Sequence, residues 1–263
     1  MKYFYVISNL SKDYVLDVQD EVQSCLEKRG AVCRYMTDYE RMKNGRHTPG
    51  EYVPEDTQCI ITIGGDGTLI QAARDLAGRN IPMLGINRGH LGFLNQVDRT
   101  EDIDAAMDAL VNERFRLERR MMLRGTVFHE GKPVFQDIAL NEIIATSAEH
   151  LRVLRYDLAV NDEYLNEYAA DGVMVATPTG STAYNLSAGG PVMAPAGRMM
   201  AVTPVCSHTL NARSIVISEE DRVKIGLLGK GLVTFDGDTS QKTGPGDYLI
   251  VERSHMETVM VKL

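Results

Sequence analysis

No stretch of this chain approaches the roughly 20 consecutive apolar residues that a membrane-crossing helix needs. Its opening, Met1-Lys2-Tyr3-Phe4-Tyr5-Val6-Ile7, is too short and too aromatic for a secretory signal. Positive charge is scarce. The 28 Lys and Arg stand against 36 Asp and Glu, for a net charge of −8 and a pI of about 5.3. The basic surface of a nucleic-acid binder is therefore missing, although a single basic pocket for a nucleotide fits that balance. Cysteine is sparse as well. Cys25, Cys33, Cys59 and Cys206 are irregularly spaced with no C-x-x-C, and the six histidines form no H-E-x-x-H. Neither a disulfide framework nor a structural zinc is expected. These absences describe a reduced, cytoplasmic protein with no nucleic-acid and no membrane partner. Internal repeats and low-complexity tracts are also absent.

What is present belongs to a soluble globular protein of 263 residues, 44% apolar and 24% charged, long enough for one large domain or two ordinary ones. The first third alternates strand and helix patterns. Strands are predicted at 3–8, 31–35, 59–63 and 82–86, and helices at 13–28, 68–77 and 101–111; Val15, Val18, Val22 and Leu26 form an apolar stripe in the first helix. Residues 37–57 are polar and broken by Gly45, Pro49, Gly50 and Pro54, which predicts a long exposed loop. This alternation implies a parallel, doubly wound sheet. From about Arg119 the helical period fades and short strands follow: a hairpin of 121–129 and 132–139 around Glu130-Gly131, then 140–146, 153–161, 172–177, 213–218, 222–227 and 231–236. A helix over 182–188 interrupts them. The expected architecture is α/β plus all-β: a doubly wound domain over 1–118, a β-rich, sandwich-like domain over 119–245, and two closing strands, 248–253 and 257–262, that either complete the second domain or return to the first.

The densest local signal is Ile60-Ile61-Thr62-Ile63-Gly64-Gly65-Asp66-Gly67-Thr68. A β-branched strand drops into a glycine turn that opens a helix, a unit that offers backbone N–H groups and a helix N-terminus to phosphate. It is not a Walker A loop, because it has no following Lys. It is not the dinucleotide G-x-G-x-x-G either, because position 70 is Ile. Asp66 repels phosphate unless it has a task of its own, such as taking a proton from a hydroxyl or holding a cation. The alternative is a plain tight turn in which Asp66 caps the helix.

A second cluster, Asp171-Gly172-Val173-Met174-Val175-Ala176-Thr177-Pro178-Thr179-Gly180-Ser181-Thr182-Ala183-Tyr184, places four hydroxyls, two glycines and a proline around one short strand. Such a loop presents backbone and hydroxyl donors, with Tyr184 as a stacking surface; the competing reading is a flexible surface loop. Ser187-Ala188-Gly189-Gly190-Pro191 follows it. The pair Asn141-Glu142 closes an apolar run and by itself reads as a solvent-facing strand end.

Taken in order, these pieces resemble the NAD kinases, which phosphorylate NAD on the adenosine ribose 2′-hydroxyl to make NADP. Gly64 to Thr68 resembles the family's GGDGT, and Asn87-Arg88-Gly89-His90-Leu91-Gly92-Phe93-Leu94 its N-x-G-x-L-G-F-L. Asn141-Glu142 is similar to its N-[DE] pair, and Asp171 to Asn185 to its D-G-x…T-P-x-G-S-T-A-Y signature. His208-Thr209-Leu210-Asn211-Ala212-Arg213 resembles H-[ST]-L-x-x-R, with Ser214 where many members have Pro, and Asp236-Gly237 a short D-G loop. Where some members carry an arginine before the D-G pair, this chain has Ala169-Ala170.

The resemblance implies the two-domain architecture above, with the active site in a cleft. It implies Asp66 as catalytic base and phosphate donors from Gly64, Gly65, Gly67 and the N–H of Thr68. It further implies an NAD site lined by Asn87, Asn141, Glu142, Asp171, Thr182, Ala183, Tyr184, Asn185 and Ser187, with Arg152 meeting a phosphate and Asp238 close by. The phosphoryl donor is ATP, another triphosphate or polyphosphate, and Mg²⁺ or another divalent cation arrives with it, without assigned protein ligands. A homodimer or homotetramer is implied, in which the second domain completes a neighbour's site. GGDGT alone also occurs in lipid and sugar kinases, and a non-catalytic NAD-sensing protein would keep the dinucleotide contacts; both stand as alternatives.

Overall fold

A computed structural model of the chain describes residues 1–37, 40, 43–88, 93–149, 152–208 and 212–263. Gly89, His90, Leu91 and Gly92 of one motif, and Thr209, Leu210 and Asn211 of another, lie outside the described residues. The chain divides into two compact units, Met1–Arg119 with Glu257–Leu263, and Arg120–Met256.

In the first unit, β1 (Tyr3–Ser8), α1 (Val15–Glu27), β2 (Val32–Tyr35), β3 (Cys59–Ile63), α2 (Asp66–Asp75), β4 (Met83–Ile86) and α3 (Ile103–Val111) follow one another. The strands lie in the order β2-β1-β3-β4 and all pair in parallel. Val15, Val18, Val22 and Leu26 bury one stripe of α1, as their spacing demands. They join Ile103, Met107 and Leu110 of α3 and Cys59, Ile61, Ile63, Leu84 and Ile86 of the strands in one apolar cluster. Strand alternation turns Ile60 and Gly85 to the opposite face. There Leu69 of α2 packs so closely that a side chain at Gly85 would collide with it. Helices thus cover both faces of a doubly wound sheet.

Helix α2 starts at Asp66, two residues before its predicted start. The predicted exposed loop over 37–57 is corrected in part: Thr48 and Val53 are buried and Gly50–Tyr52 forms a 3₁₀ turn. The cause lies at long range. Thr48 donates its N–H to Asp75 (2.6 Å), and the Arg79 guanidinium donates to the carbonyls of Gly50, Val53 and Pro54.

The second unit is a sandwich. One layer holds β5 (Arg116–His129), of which the part from Arg120 onward lies in this unit, β6 (Lys132–Ala139), β8 (Leu154–Val160), β9 (Glu163–Ala170), β13 (Val223–Leu227) and the first part of β16 (Tyr248–Lys262). The other is an antiparallel sheet ordered β12 (Ile215–Ser218), β11 (Met199–Val205), β10 (Gly172–Ala176), β7 (Glu142–Ser147), β14 (Gly231–Phe235), β15 (Thr239–Thr243). Their inner faces meet in one core that includes Ile143, Val173, Val175, Val202 and Phe235 from one layer and Leu123, Tyr156, Leu158, Ile225 and Val251 from the other. Glu130-Gly131, both at positive φ, turn the β5–β6 hairpin where the sequence predicts it. The helix expected over 182–188 is shorter: a 3₁₀ turn at Gly180–Thr182 and a four-residue α4 (Tyr184–Ser187). The two predicted closing strands are one. Ser254-His255-Met256 offers no glycine or proline to turn the chain, and β16 runs for 15 residues. It pairs with β13 in the second unit, and its end, at Met260, pairs with Met83 of β4 in the first.

Candidate active site

The glycine turn between β3 and α2 is tightly built. A Cβ at Gly64 would collide with Thr68 Oγ1, so only glycine fits. Two of the amides expected to meet phosphate are already engaged: Gly64 N–H donates to Ile86 O (2.9 Å) and Thr68 N–H to Gly65 O (2.9 Å). Both amides are thus spent on holding the turn, while Gly65 is the cap and Gly67 lies in the first turn of a ten-residue helix, where backbone N–H groups lack partners within the helix. Asp66 is not the cap. The cap position is Gly65, and the Asp66 carboxylate instead accepts a hydrogen bond from Phe93 N–H (3.1 Å) on one oxygen and from Asn95 Nδ2 on the other. Asn95 is buried, and its Oδ1 presses against the bare Cα of Gly85. Asn95 went unnoticed in the sequence; its only signal there is an amide directly after Gly92-Phe93-Leu94. Asn87 is buried and its Oδ1 accepts the Tyr14 hydroxyl (3.0 Å).

In the second unit the loop after β10 is stitched to the start of β7. Thr177 N–H donates to Asn141 O (2.8 Å), and its hydroxyl donates to Leu140 O (2.6 Å) while accepting from Gly180 N–H (3.0 Å). A Cβ at Gly180 would collide with the Asn141 carbonyl, so the loop lies against that backbone only because residue 180 is glycine. From the other side comes Asp236, in the left-handed region at φ 50° in the β14–β15 turn. Its carboxylate accepts the backbone N–H of Leu140 (2.7 Å), Asn141 (2.8 Å) and Glu142 (3.0 Å). Asp238 closes that turn through its N–H to Phe235 O.

So clamped, the pair presents two buried acceptors, Asn141 Oδ1 and Glu142 Oε2, with no hydrogen-bond partner. Unpartnered buried oxygens are costly, and each calls for an explanation. Half-buried Thr182 and Ala183 and exposed Tyr184 lie on the same stitched loop. Asn185 does not present itself to a ligand. It is fully buried, donating to Ser181 O and Pro191 O and accepting from Thr203 Oγ1. Its part is to hold the loop; Ser187 is exposed at the end of α4.

Not every candidate gathers there. Asp171 precedes β10, whereas Thr177 follows it, and six residue steps of strand span roughly 20 Å. Asp171 lies beside Ser147, whose N–H it accepts (3.4 Å), at the far end of β7 from Asn141. Arg152, whose N–H donates to Glu149 O, is exposed a few residues beyond that end. The second unit's candidates thus form two groups at opposite ends of β10.

Burial pushes the Glu142 carboxyl up to about 8, and the negative charge of Asp236 adds to the rise. Folding therefore takes up a proton at Glu142 between its ordinary carboxylate value and about pH 8. The stability this lends is complete in acid, below the unfolded value, and is lost as pH climbs through about 8. Glu142→Gln, which cannot ionise, should flatten the fall in unfolding temperature between pH 5 and 8.5 and unfold about 3 °C or more higher than wild type at pH 8.5. Identical pH profiles in calorimetry would refute this.

Comparison with known proteins places the whole chain. The family model of the ATP-NAD kinase N-terminal domain matches residues 10–115, and that of the ATP-NAD kinase C-terminal domain residues 140–263. A NAD kinase of Lachnospira eligens is 37% identical over 280 residues, covering 100% of this chain and 95% of its own. A NAD kinase of Moorella thermoacetica is 37% identical, covering 98% and 84%. Among solved structures, yeast NADH kinase complexed with NADH superposes with a TM-score of 0.86 at 21% identity, covering 100% of this chain and 84% of that one. An Archaeoglobus fulgidus NAD kinase in complex with ATP reaches 0.79 at 23%, covering 99% and 93%. At those identities the two structures bear on the fold.

Proposed function

Since the chain belongs to the NAD kinase family, we propose that Asp66 is the base of its reaction, transfer of a terminal phosphoryl group to the adenosine ribose 2′-hydroxyl of NAD. The observation that carries this role is the mooring of the Asp66 carboxylate: it is held on Phe93 N–H and Asn95 at the phosphate turn instead of capping α2. The 2′-oxygen attacks the γ-phosphorus, the bond to the β,γ-bridging oxygen breaks, and Asp66 receives the hydroxyl proton. A positioned base contributes about 10²–10⁴ in rate; alignment and charge neutralisation on the phosphoryl oxygens supply the rest. Gly65 and Gly67 face the donor's phosphates. Asn141, Glu142 and Tyr184 take the adenosine end of NAD, through the two unpartnered oxygens and an exposed ring. The lipid- or sugar-kinase reading and the sensor reading yield to relatives matched along the full chain.

Mg²⁺ or another divalent cation enters with the donor. Seated on Gly65 and Gly67, the donor's phosphates would carry the ion. When bound it neutralises phosphate charge.

The Asp171 and Arg152 group, a strand's length from Asn141, favours a homodimer or homotetramer in which that group serves a neighbouring subunit's NAD. No described helix is long and apolar enough to cross a membrane, and four free cysteines accord with a cytoplasmic location. Purified protein given NAD, ATP and Mg²⁺, coupled to an NADP-specific dehydrogenase, should make NADP. No NADP above blank with ATP, other triphosphates or polyphosphate would sink the assignment. Light scattering that finds a fully active monomer would remove the oligomer from it.

A further inference from the structure

The phosphate turn carries a charge problem. A triphosphate brings several negative charges, the turn answers with backbone amides, and its one charged side chain, Asp66, has the wrong sign. A P-loop solves this with a lysine in the loop itself; here no lysine follows Gly67. A lysine nonetheless reaches the turn from another strand. Strands β1 and β3 are parallel neighbours, with Ser8 opposite Ile63, so their C-terminal ends release their loops side by side, which is where open α/β sheets bind ligands. Asn9 N–H donates to Ile63 O (2.9 Å), pinning the β1–α1 loop beside the glycines. The Asn9 side chain then accepts from both the N–H and the hydroxyl of Ser11, fixing the bend that leads to Lys12.

Lys12 Nζ ends 3.4 Å from where a side chain at Gly65 would begin. Its one hydrogen bond goes to the Tyr14 hydroxyl (3.3 Å), which itself donates to buried Asn87. No carboxylate among the described residues pairs with Lys12. An ammonium group that is half buried, oriented by a tyrosine and left without a counter-ion is a local positive spot in an acidic chain. It lines one cavity of about 620 Å³ together with Gly65, Gly67, Thr68, Arg46 and His47, a size suited to a nucleotide. The loop bearing Arg46 and His47 is tied down by Asp75, which receives Thr48 N–H and contacts His47 Nδ1 (3.1 Å).

We propose that Lys12 binds the terminal phosphates of the donor and supplies, from the β1–α1 loop, the positive charge that the glycine turn lacks. Tyr14 positions it. This inference rests on the NAD kinase reading, and its test separates the two. Lys12→Met, Lys12→Arg and Tyr14→Phe are compared with wild type for kcat and for KM of MgATP and of NAD, and by calorimetric titration of the NAD-free protein with MgATP. A hydrogen bond to a charged group accounts for about a tenfold change or more. Lys12→Met should therefore raise the MgATP KM and Kd at least about tenfold while the NAD KM stays within about twofold. Lys12→Arg should keep most of the affinity, and Tyr14→Phe should show a smaller rise. A Lys12→Met protein whose MgATP Kd is unchanged, or whose NAD KM rises as much as its MgATP KM, overturns the proposal. If wild type made no NADP the family reaction would fail, and the calorimetric titration would still decide the role of Lys12. Unfolding temperature controls for folding, with Lys12→Arg as the conservative check.

Discussion

Asp66→Asn should turn over at least about a hundredfold more slowly than wild type while its affinity for NAD changes little. A base acts in the transition state, so its removal appears in kcat and not in ground-state binding. Asparagine keeps the size of the side chain and one of its two acceptors, but it takes no proton from the 2′-hydroxyl. The second oxygen of Asp66 receives the Asn95 amide, and an asparagine facing an asparagine can still make one such bond, so the fold should survive. Steady-state kinetics with calorimetric NAD binding read both quantities. A variant with near-normal turnover would remove Asp66 from the base role, and a variant with lost NAD affinity would assign it to binding instead.

Removing Asp236 should damage the other half of the machinery. Its carboxylate accepts three consecutive backbone N–H groups, from Leu140, Asn141 and Glu142. Asp236→Ala leaves all three without an acceptor, at about 1–3 kcal/mol each for buried donors. The expected result is a fall of about 6 °C or more in unfolding temperature and at least a tenfold loss of NAD affinity, because the Asn141 and Glu142 side chains lose the backbone that aims them. Asp236→Asn, with one acceptor left, should fall between. Unchanged NAD affinity in Asp236→Ala would mean that the clamp is ornamental, and unchanged unfolding temperature would mean that water replaces it at no cost.

The sequence disclosed elements whose signals are local. Strands β1 and β3 begin and end where their apolar runs do, and the glycine turns fall where chain reversal demands them. Three strands escaped because their residues carry no apolar alternation a reader could follow. Strand β15 is Thr239-Ser240-Gln241-Lys242-Thr243, held by pairing with β14 alone. Strand β9 is largely exposed and continues from β8 through Asn161-Asp162, both at positive φ. Strand β11 contains Pro204, which demotes a strand reading.

The site shows the same division. Asp66, Asn141, Glu142 and Tyr184 could be picked out from motifs. Asp236 stood in a D-G motif as well, but its contact did not show there, nor did Asn95 or Lys12, because Asn95, Lys12 and Asp236 meet their partners across 29, 53 and 95 residues of chain, reading to Asp66, Gly65 and Asn141 respectively. Spacing also hides what holds the turn: the amides of Gly64 and Thr68 close it on Ile86 and Gly65.

The division of the chain into Met1–Arg119 plus Glu257–Leu263 bears on how the protein emerges from the ribosome. When Arg119 has been made, the first unit still lacks the strand that pairs with β4 at Met83. All of Arg120–Met256 must be synthesised before that strand exists, a delay on the order of 10 s at about 5–20 residues per second. During that time the Met83 end of β4 lacks its partner, while the Gly85–Asn87 end is already paired with Gln96 and Val97; a bare strand end of this kind can pair with other strands nearby. Birth order and folding order therefore run against each other here: the domain that begins first finishes last, and the final seven residues act as its latch.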